Sequence, residues 1–249
     1  DRLQFAHRFR GGPAEPVRSV LRGYQNPDGG FGNAIEPDLR GAGGQPQGVE
    51  TAFWAFEAIG AFDDPAITGA CDWLEAHTAE DGGVPWVLPS VLETERAPWW
   101  QPQGDPAPGS LNPTGPITGL LLAHGIEHPW LERAVEFCWD RIGTASELSA
   151  YDAMCVLGFL ERVPDRERAE AAFERLGDAL RAAVALDPDA PGHVHSPLDL
   201  APRPDSMARR LFSDAEIERH LDAVIDAQQE DGGWAPNFEM WTPLVRHEW

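Results

Sequence analysis

"QNPDGGF", residues 25–31, decides how this chain is read. Nearly the same phrase returns as "TAEDGGV" at residues 78–84 and as "QQEDGGW" at residues 228–234. Asp81 follows Asp28 by 53 residues, and Asp231 follows Asp81 by 150, close to three units of about 50. A period near 50 marks a repeated supersecondary unit whose intervening copies have lost the phrase. Each phrase has a local explanation. The paired glycines let the backbone leave a helix through positive φ or a tight turn. Asp28 and Asp231 can accept hydrogen bonds from nearby amides, the Gln can bridge to a neighbouring helix end, and the aromatic can pack between units. These aspartates mark the fold, not the chemistry.

Each phrase follows an amphipathic stretch. Val17, Val20, Leu21 and Tyr24 are spaced for one helical face. So are Ile67, Ala70, Cys71 and Leu74, and again Ile217, Leu221 and Val224. Their other faces carry Arg, Asp and Glu, which predicts one face in water. Residues 129–142 and 165–185 supply two more such helices, the second with Ala169, Ala172, Phe173, Leu176 and Leu180 in a stripe. The stretches between, residues 49–60, 117–125 and 150–160, are apolar nearly all round and predict helices buried on every side. No sustained period-2 stretch occurs, so strands are not expected. Alternating buried and half-exposed helices in hairpins of about 50 residues predict an all-α fold. It is read as an α/α toroid of inner and outer shells forming one domain over residues 1–249; an open α-solenoid is the alternative.

Gln-x-x-Asp-Gly-Gly followed by Phe or Trp resembles the repeat signature of the terpenoid cyclase and protein prenyltransferase toroids, squalene-hopene cyclases among them. Residues 228–234 match it throughout and residues 25–31 closely. Residues 78–84 lack the Gln and the final aromatic. With the helix alternation, the resemblance covers most of the chain and implies a short, single-domain bacterial branch of that superfamily. The family's reaction motifs are missing. There is no Asp-x-Asp-Asp, whose nearest trace is "DPDA" at residues 187–190, and no Asp-Asp-x-x-Asp. The prenyltransferase zinc set is also absent, as are phosphate-loop, dinucleotide, nucleophile-elbow and zinc-protease motifs. No cofactor and no metal are therefore expected.

Composition narrows the partners. The net charge of −22 with no Lys predicts repulsion of nucleic acid and of anionic membranes. No window of about 18 apolar residues suggests a transmembrane helix. The opening "DRLQFAHRFR" has no signal-peptide core, and Asp1 is not an initiator Met, which leaves the natural start open. Cys71, Cys138 and Cys155 are odd in number, far apart and in apolar context. They read as reduced core thiols of a cytoplasmic protein. The oligomeric state is left open.

Connection lengths point to the site. Residues 31–47, 84–113 and 187–205 form long connections; residues 61–65, 125–129 and 162–166 form short turns. In a toroid the inner helices run parallel, so every long loop reaches one rim, with the segment after Asp231 as a fourth. Long loops gathered on one rim predict the mouth of a cavity. Glu36 and Asp38 lie there beside Arg40. Pro37 is read as holding the backbone extended, so that the two carboxylates at i and i+2 point the same way. Like charges so close can keep one proton near neutral pH. Asp199 and Asp205 are further candidate acids. His193, His195, Arg40 and Glu50 are candidate ligand contacts, with Asp152 a second acid in a buried-looking helix. Trp86, Trp99, Trp100, Trp234 and Trp241 are candidate pocket walls, able to hold an apolar ligand or a developing cation. Trp54, Trp73 and Trp139 fit helix packing.

The resulting expectation is an enzyme acting on an isoprenoid or other apolar small molecule. It would work by acid-initiated cyclisation or isomerisation, without metal, with Glu36 or Asp38 as the acid. A carbohydrate-active hydrolase or lyase on the same scaffold is the alternative. A toroid that binds a small molecule without catalysis is the third.

Overall fold

The computed structural model describes residues 2–236, 238 and 240–245. Its regular structure is all α. Among the described residues there are ten α-helices, two 3-10 turns and no strand. The helices are α1 (Arg2–Arg10), α2 (Glu15–Tyr24), α3 (Pro46–Ala58), α4 (Pro65–Ala76), α5 (Leu111–Ala123), α6 (Pro129–Thr144), α7 (Ala150–Leu160), α8 (Arg166–Ala182), α9 (Pro197–Leu200) and α10 (Asp214–Asp226). None is long and apolar enough to cross a membrane.

Two layers follow from which faces are apolar. In the inner layer α3 packs on α5, α5 on α7, and α7 on α9. The outer helices flank them, with α2 and α4 on α3, α6 on α5, α8 on α7 and α10 on α9. Where α5 meets α7, a Cβ on Gly119 would stand 2.3 Å from the Gly158 carbonyl oxygen, so glycine sets how closely these helices approach. The outer helices bury their predicted stripes: Ile67, Ala70, Cys71 and Leu74 on α4, and Ala169, Phe173, Leu176 and Leu180 on α8. Fully burying such side chains stabilises by about 1.5–3 kcal/mol each. The outer helices α4, α6, α8 and α10 start on side-chain caps: Asp64, His128, Asp165 and Ser213 each accept from a first-turn amide. Pro65 and Pro129 at the first position add a preset φ.

The repeated phrase folds three times into one turn. Gly29, Gly82 and Gly232 all have positive φ, between 88° and 96°. Asp28, Asp81 and Asp231 each accept from the amide two residues on. In the first copy Gln25 Nε2 donates both to the Gly29 carbonyl and across to the Ala66 carbonyl at the start of α4.

Three expectations fail. Val20, Leu221 and Val224, read as core-facing, are exposed. They lie on the first and last outer helices, and among the described residues no neighbour covers them. Residues 187–205 are not one rim loop. They contain α9, a single turn in the place of a fourth inner helix, so this segment passes from one end of the inner layer to the other. Trp54, read as a packing residue, is half exposed. It lines a cavity of about 570 Å³ with Arg8, Glu57, Glu161, Arg162 and Arg203, at the C-terminal ends of α3 and α7.

Candidate functional site

Rim assembly begins with backbone contacts between the long loops. The first loop joins the second through an antiparallel bridge between Leu39 and Arg96, with the Arg40 amide donating to the Glu95 carbonyl and Ala97 to Asp38. Gln45 and Gln47, at the start of α3, tie down the second loop through Ser90, Leu88 and the Trp86 carbonyl. The C-terminal segment then reaches back: Trp241 Nε1 donates to Asp38 Oδ1 at 2.8 Å. Phe238 packs edge-on to His193, 5.7 Å between centroids. The gathering of the first, second and last segments at the N-terminal end of the inner helices is as the loop lengths predict. The third segment contributes only its His193 and His195 end.

Within this rim the first loop lies directly on α3. A Cβ on Gly48 would stand 2.4 Å from the Phe31 carbonyl and 3.2 Å from the Ile35 side chain. Asn33 and Ala34 hold φ of 58° and 60°, a left-handed region that Asn tolerates but that costs Ala34 about 1–2 kcal/mol. Strain of this kind persists only where the surroundings impose it, and it is frequent at functional sites. Glu36, Pro37 and Asp38 are not extended, as the sequence suggested. They form a turn in which the Leu39 amide donates to the Glu36 carbonyl, with Arg40 Nη1 on the Pro37 carbonyl. The turn separates the two carboxylates: Asp38 is buried against Trp241, whereas Glu36 turns over α3 towards Glu50.

Glu50 is the centre of the arrangement. It is 4% exposed on α3, and accepts no hydrogen bond from a described residue. Burial, with the nearby charge of Glu36, pushes its carboxyl up to about 8. Glu36 is pushed up to about 7 by burial, which outweighs the lowering effect of a hydrogen bond from the Asp38 amide; the charge of Asp38 adds a smaller push upward. The two carboxyls interact, so they titrate as a pair with apparent values of about 7 and about 8.

Tyr151, on the exposed first turn of α7, is the residue that sequence reasoning missed. Its hydroxyl lies 3.0 Å from His193 Nε2, and its ring meets His195 edge-on at 4.7 Å. Burial and the charges of Asp199, Glu36 and Asp38 raise its hydroxyl pKa, which places it in the field of all three acids. His195 Nε2 is buried with no hydrogen-bond partner among the described residues. One turn along α7, Cys155 feels Glu50 and Asp152, and burial lifts its thiol well above the usual range. All three cysteines are buried and free. Burial pushes Cys71 and Cys138 up to about 12, so none is a poised nucleophile.

Other predicted residues lie elsewhere or have other work. Asp199 is the reciprocal cap of α9, accepting from Ser196, so its carboxylate is committed to a helix start although near Tyr151. Asp205 is exposed and pairs with Arg203, on the side of Glu161 at the far end of α7. It is not a rim acid, because α9 has carried the chain across. Asp152 is exposed enough to pair with the Ser149 hydroxyl as a cap of α7. Trp86 and Trp100 stack on each other at 4.5 Å and seal the second loop with Leu39, Val87, Val91 and Ala97, as loop-on-loop packing. Trp99 is exposed. Trp234 folds back on its own hairpin, donating to the Val224 carbonyl, and is not a wall of the mouth. Among the described residues no three His, Cys, Asp or Glu side chains converge as metal ligands.

No family model and no curated protein matches this chain. Its fold is similar to a crystal structure of a protein from Actinoplanes, at a TM-score of 0.58 and 19% identity, over 90% of this chain and 67% of that one. That likeness concerns the fold alone.

Proposed function

We propose that Glu50, Glu36 and Tyr151 form the active site of a terpenoid cyclase-like enzyme that moves protons on an uncharged, largely apolar small molecule. One observation carries the reading: a buried carboxyl, Glu50, and a half-buried one, Glu36, lie within each other's field at the loop-covered end of the inner helices, and neither has a cationic partner among the described residues. Near neutral pH Glu50 then holds its proton while Glu36 is ready to take one, which divides the roles of acid and base.

The raised pKa also selects the substrate. A carboxyl held neutral by burial is abundant as a donor but weak as an acid, so it matches a group with some basicity of its own. An oxygen on an isoprenoid or similar apolar molecule fits better than a bare alkene. Glu50 would give its proton to that oxygen, as in an epoxide or carbonyl. The electron-deficient carbon formed would lose a neighbouring proton to Glu36, and Glu36 would return a proton to Glu50. Substrate and product then differ by rearrangement only. Trp241, Tyr151 and Phe238 offer aromatic faces to the cationic stage.

The experiment is turnover in D2O with a panel of isoprenoid epoxides, ketones and alcohols, read by mass spectrometry. An epoxide should give an isomeric alcohol with no carbon-bound deuterium, because Glu50 delivers its proton to oxygen, and a ketone should take up deuterium at the carbon beside its carbonyl through the enol; kcat/KM should rise through about pH 7 as Glu36 ionises and fall through about pH 8 as Glu50 does. Glu50→Gln should abolish turnover. A second reading, a glycoside hydrolase or lyase, is favoured by the polar edge that Tyr151, His193 and Asp199 give the mouth. New reducing ends from oligosaccharides, with isoprenoids untouched, would establish that reading instead. Inertness towards both panels would leave a binding protein.

Linkage supplies a test without substrate. Because both carboxyls have folded-state values above 4.5, the folded chain binds more protons than the unfolded one between pH 4.5 and about 8. Stability therefore falls as pH rises across that window and levels off above it. Glu50→Gln should flatten this slope and, at pH 8, stabilise the fold by something on the order of 3 kcal/mol. An unchanged slope in chemical denaturation would show that Glu50 is not a neutral buried acid.

A further inference from the structure

Two exposed helical faces remain unused by the rim, and they are opposites. On α1, Phe5 and Phe9 are 49% and 68% exposed and pack on each other at 5.1 Å. Arg10 lies over the Phe5 ring and Arg8 over the Phe9 ring. Arg2, Phe5, Ala6 and Arg10 line a shallow apolar groove. No residue of α1 is buried, and the helix has three arginines and no acid in a chain of net charge −22. On α10, Leu221, Val224 and Ile225 are exposed, Ile225 at 67%, with Trp234 beside Val224. Glu218 and Asp222 share the face of Leu221 and Ile225 by helical spacing, and Asp226 borders it. None of these acids, and none of the α1 arginines, forms an ion pair among the described residues.

Apolar patches of this kind on a soluble surface mark contacts. We infer that the occupant is a second copy of this chain: α1 of one copy packs along α10 of another. Phe5 and Phe9 meet Leu221 and Ile225, while Arg2 and Arg8 face Glu218 and Asp222. Charge complementarity selects this pairing, since α10 against α10 would set acid on acid. The strong overall negative charge opposes association, which leaves α1, the most basic of the described helices, as the natural point of approach. Made reciprocally, the contact gives a two-fold dimer; made one way, it gives a head-to-tail chain.

The test uses two charge-reversed chains, each checked by circular dichroism and thermal unfolding. One carries Arg2→Glu, Arg8→Glu and Arg10→Glu; the other Glu218→Arg, Asp222→Arg and Asp226→Arg. Sedimentation at sub-millimolar concentration should find the wild type above the monomer mass and each variant alone at it. Their mixture should regain a complex, because reversed α1 then meets reversed α10. The second variant is less negative than the wild type, so general repulsion would make it associate more, not less. Its association at or above the wild-type level overturns the inference. A wild type that stays monomeric throughout overturns it too, and leaves the two faces to a foreign partner.

Discussion

The turn at residues 25–31 and the turn at residues 228–234 share a backbone but not a neighbourhood. Both have the positive-φ glycine, the Asp cap and a Gln donating to the carbonyl of that glycine. In the first, a Cβ on Gly29 would stand 2.1 Å from the Gly69 carbonyl oxygen, and one on Gly30 2.5 Å from the Trp73 indole of α4. In the second, a Cβ on Gly232 would meet nothing within 4 Å. The copy at residues 78–84 sits between them, with Gly82 at 3.0 Å from the Arg133 carbonyl oxygen and Gly83 against Phe137 of α6. Turn formation is thus encoded locally, while the packing that makes the turn a structural joint comes from the next outer helix.

The largest effect should be at the tightest joint. Gly29→Ala adds a strained left-handed residue and a collision with backbone that cannot swing aside. Its cost should be about 3 kcal/mol or more, from about 1–2 for the conformation and a similar sum for overpacking. Chemical denaturation measures it. A loss below about 1 kcal/mol would show that the first turn is no better seated than the last. Gly82→Ala should cost about 2 kcal/mol, because its neighbour stands farther away and can yield. Should it equal Gly29→Ala, the spacing to the next helix would not control the cost.

This grading explains what the sequence could and could not disclose. The turns were legible because their chemistry lies within six residues, and the inner helices because their apolar runs are continuous. Glu36 and Asp38 were legible as rim acids from loop length. That Glu36 faces Glu50 was not, since it depends on the Glu-Pro-Asp segment turning and on how closely residues 31–35 lie on α3. Tyr151 was hidden in a run that reads as fully buried, "AYDAMCVLGFL", because periodicity does not tell an exposed first turn from a covered one. Asp205 was misplaced because "PLDL" is too short to read as a helix, yet the segment that contains it runs from Tyr151 at the start of α7 to Glu161 at its end.

Gly232→Ala tests the exposed end. Only the conformational term remains there, so the loss should be about 1 kcal/mol. A loss near that of Gly29→Ala would mean that the third turn is seated after all.

Smallest is the expected effect of Gln228→Ala, and its comparison with Gln25→Ala separates turn from joint. Gln25 Nε2 serves two carbonyls, those of Gly29 at 3.0 Å and Ala66 at 2.8 Å, in a half-buried junction between hairpins. Removing it leaves both acceptors without a donor where water has poor access, which should cost about 1–2 kcal/mol. Gln228 Nε2 serves the Gly232 carbonyl at 2.9 Å in an exposed turn. Water can take its place there, so the cost should be within about 0.5 kcal/mol. Equal losses from the two substitutions in thermal unfolding would show that the Gln acts only within its own turn, and that the bridge to α4 contributes nothing. A large loss at Gln228 alone, growing with protein concentration, would instead show that the exposed turn is covered when copies meet.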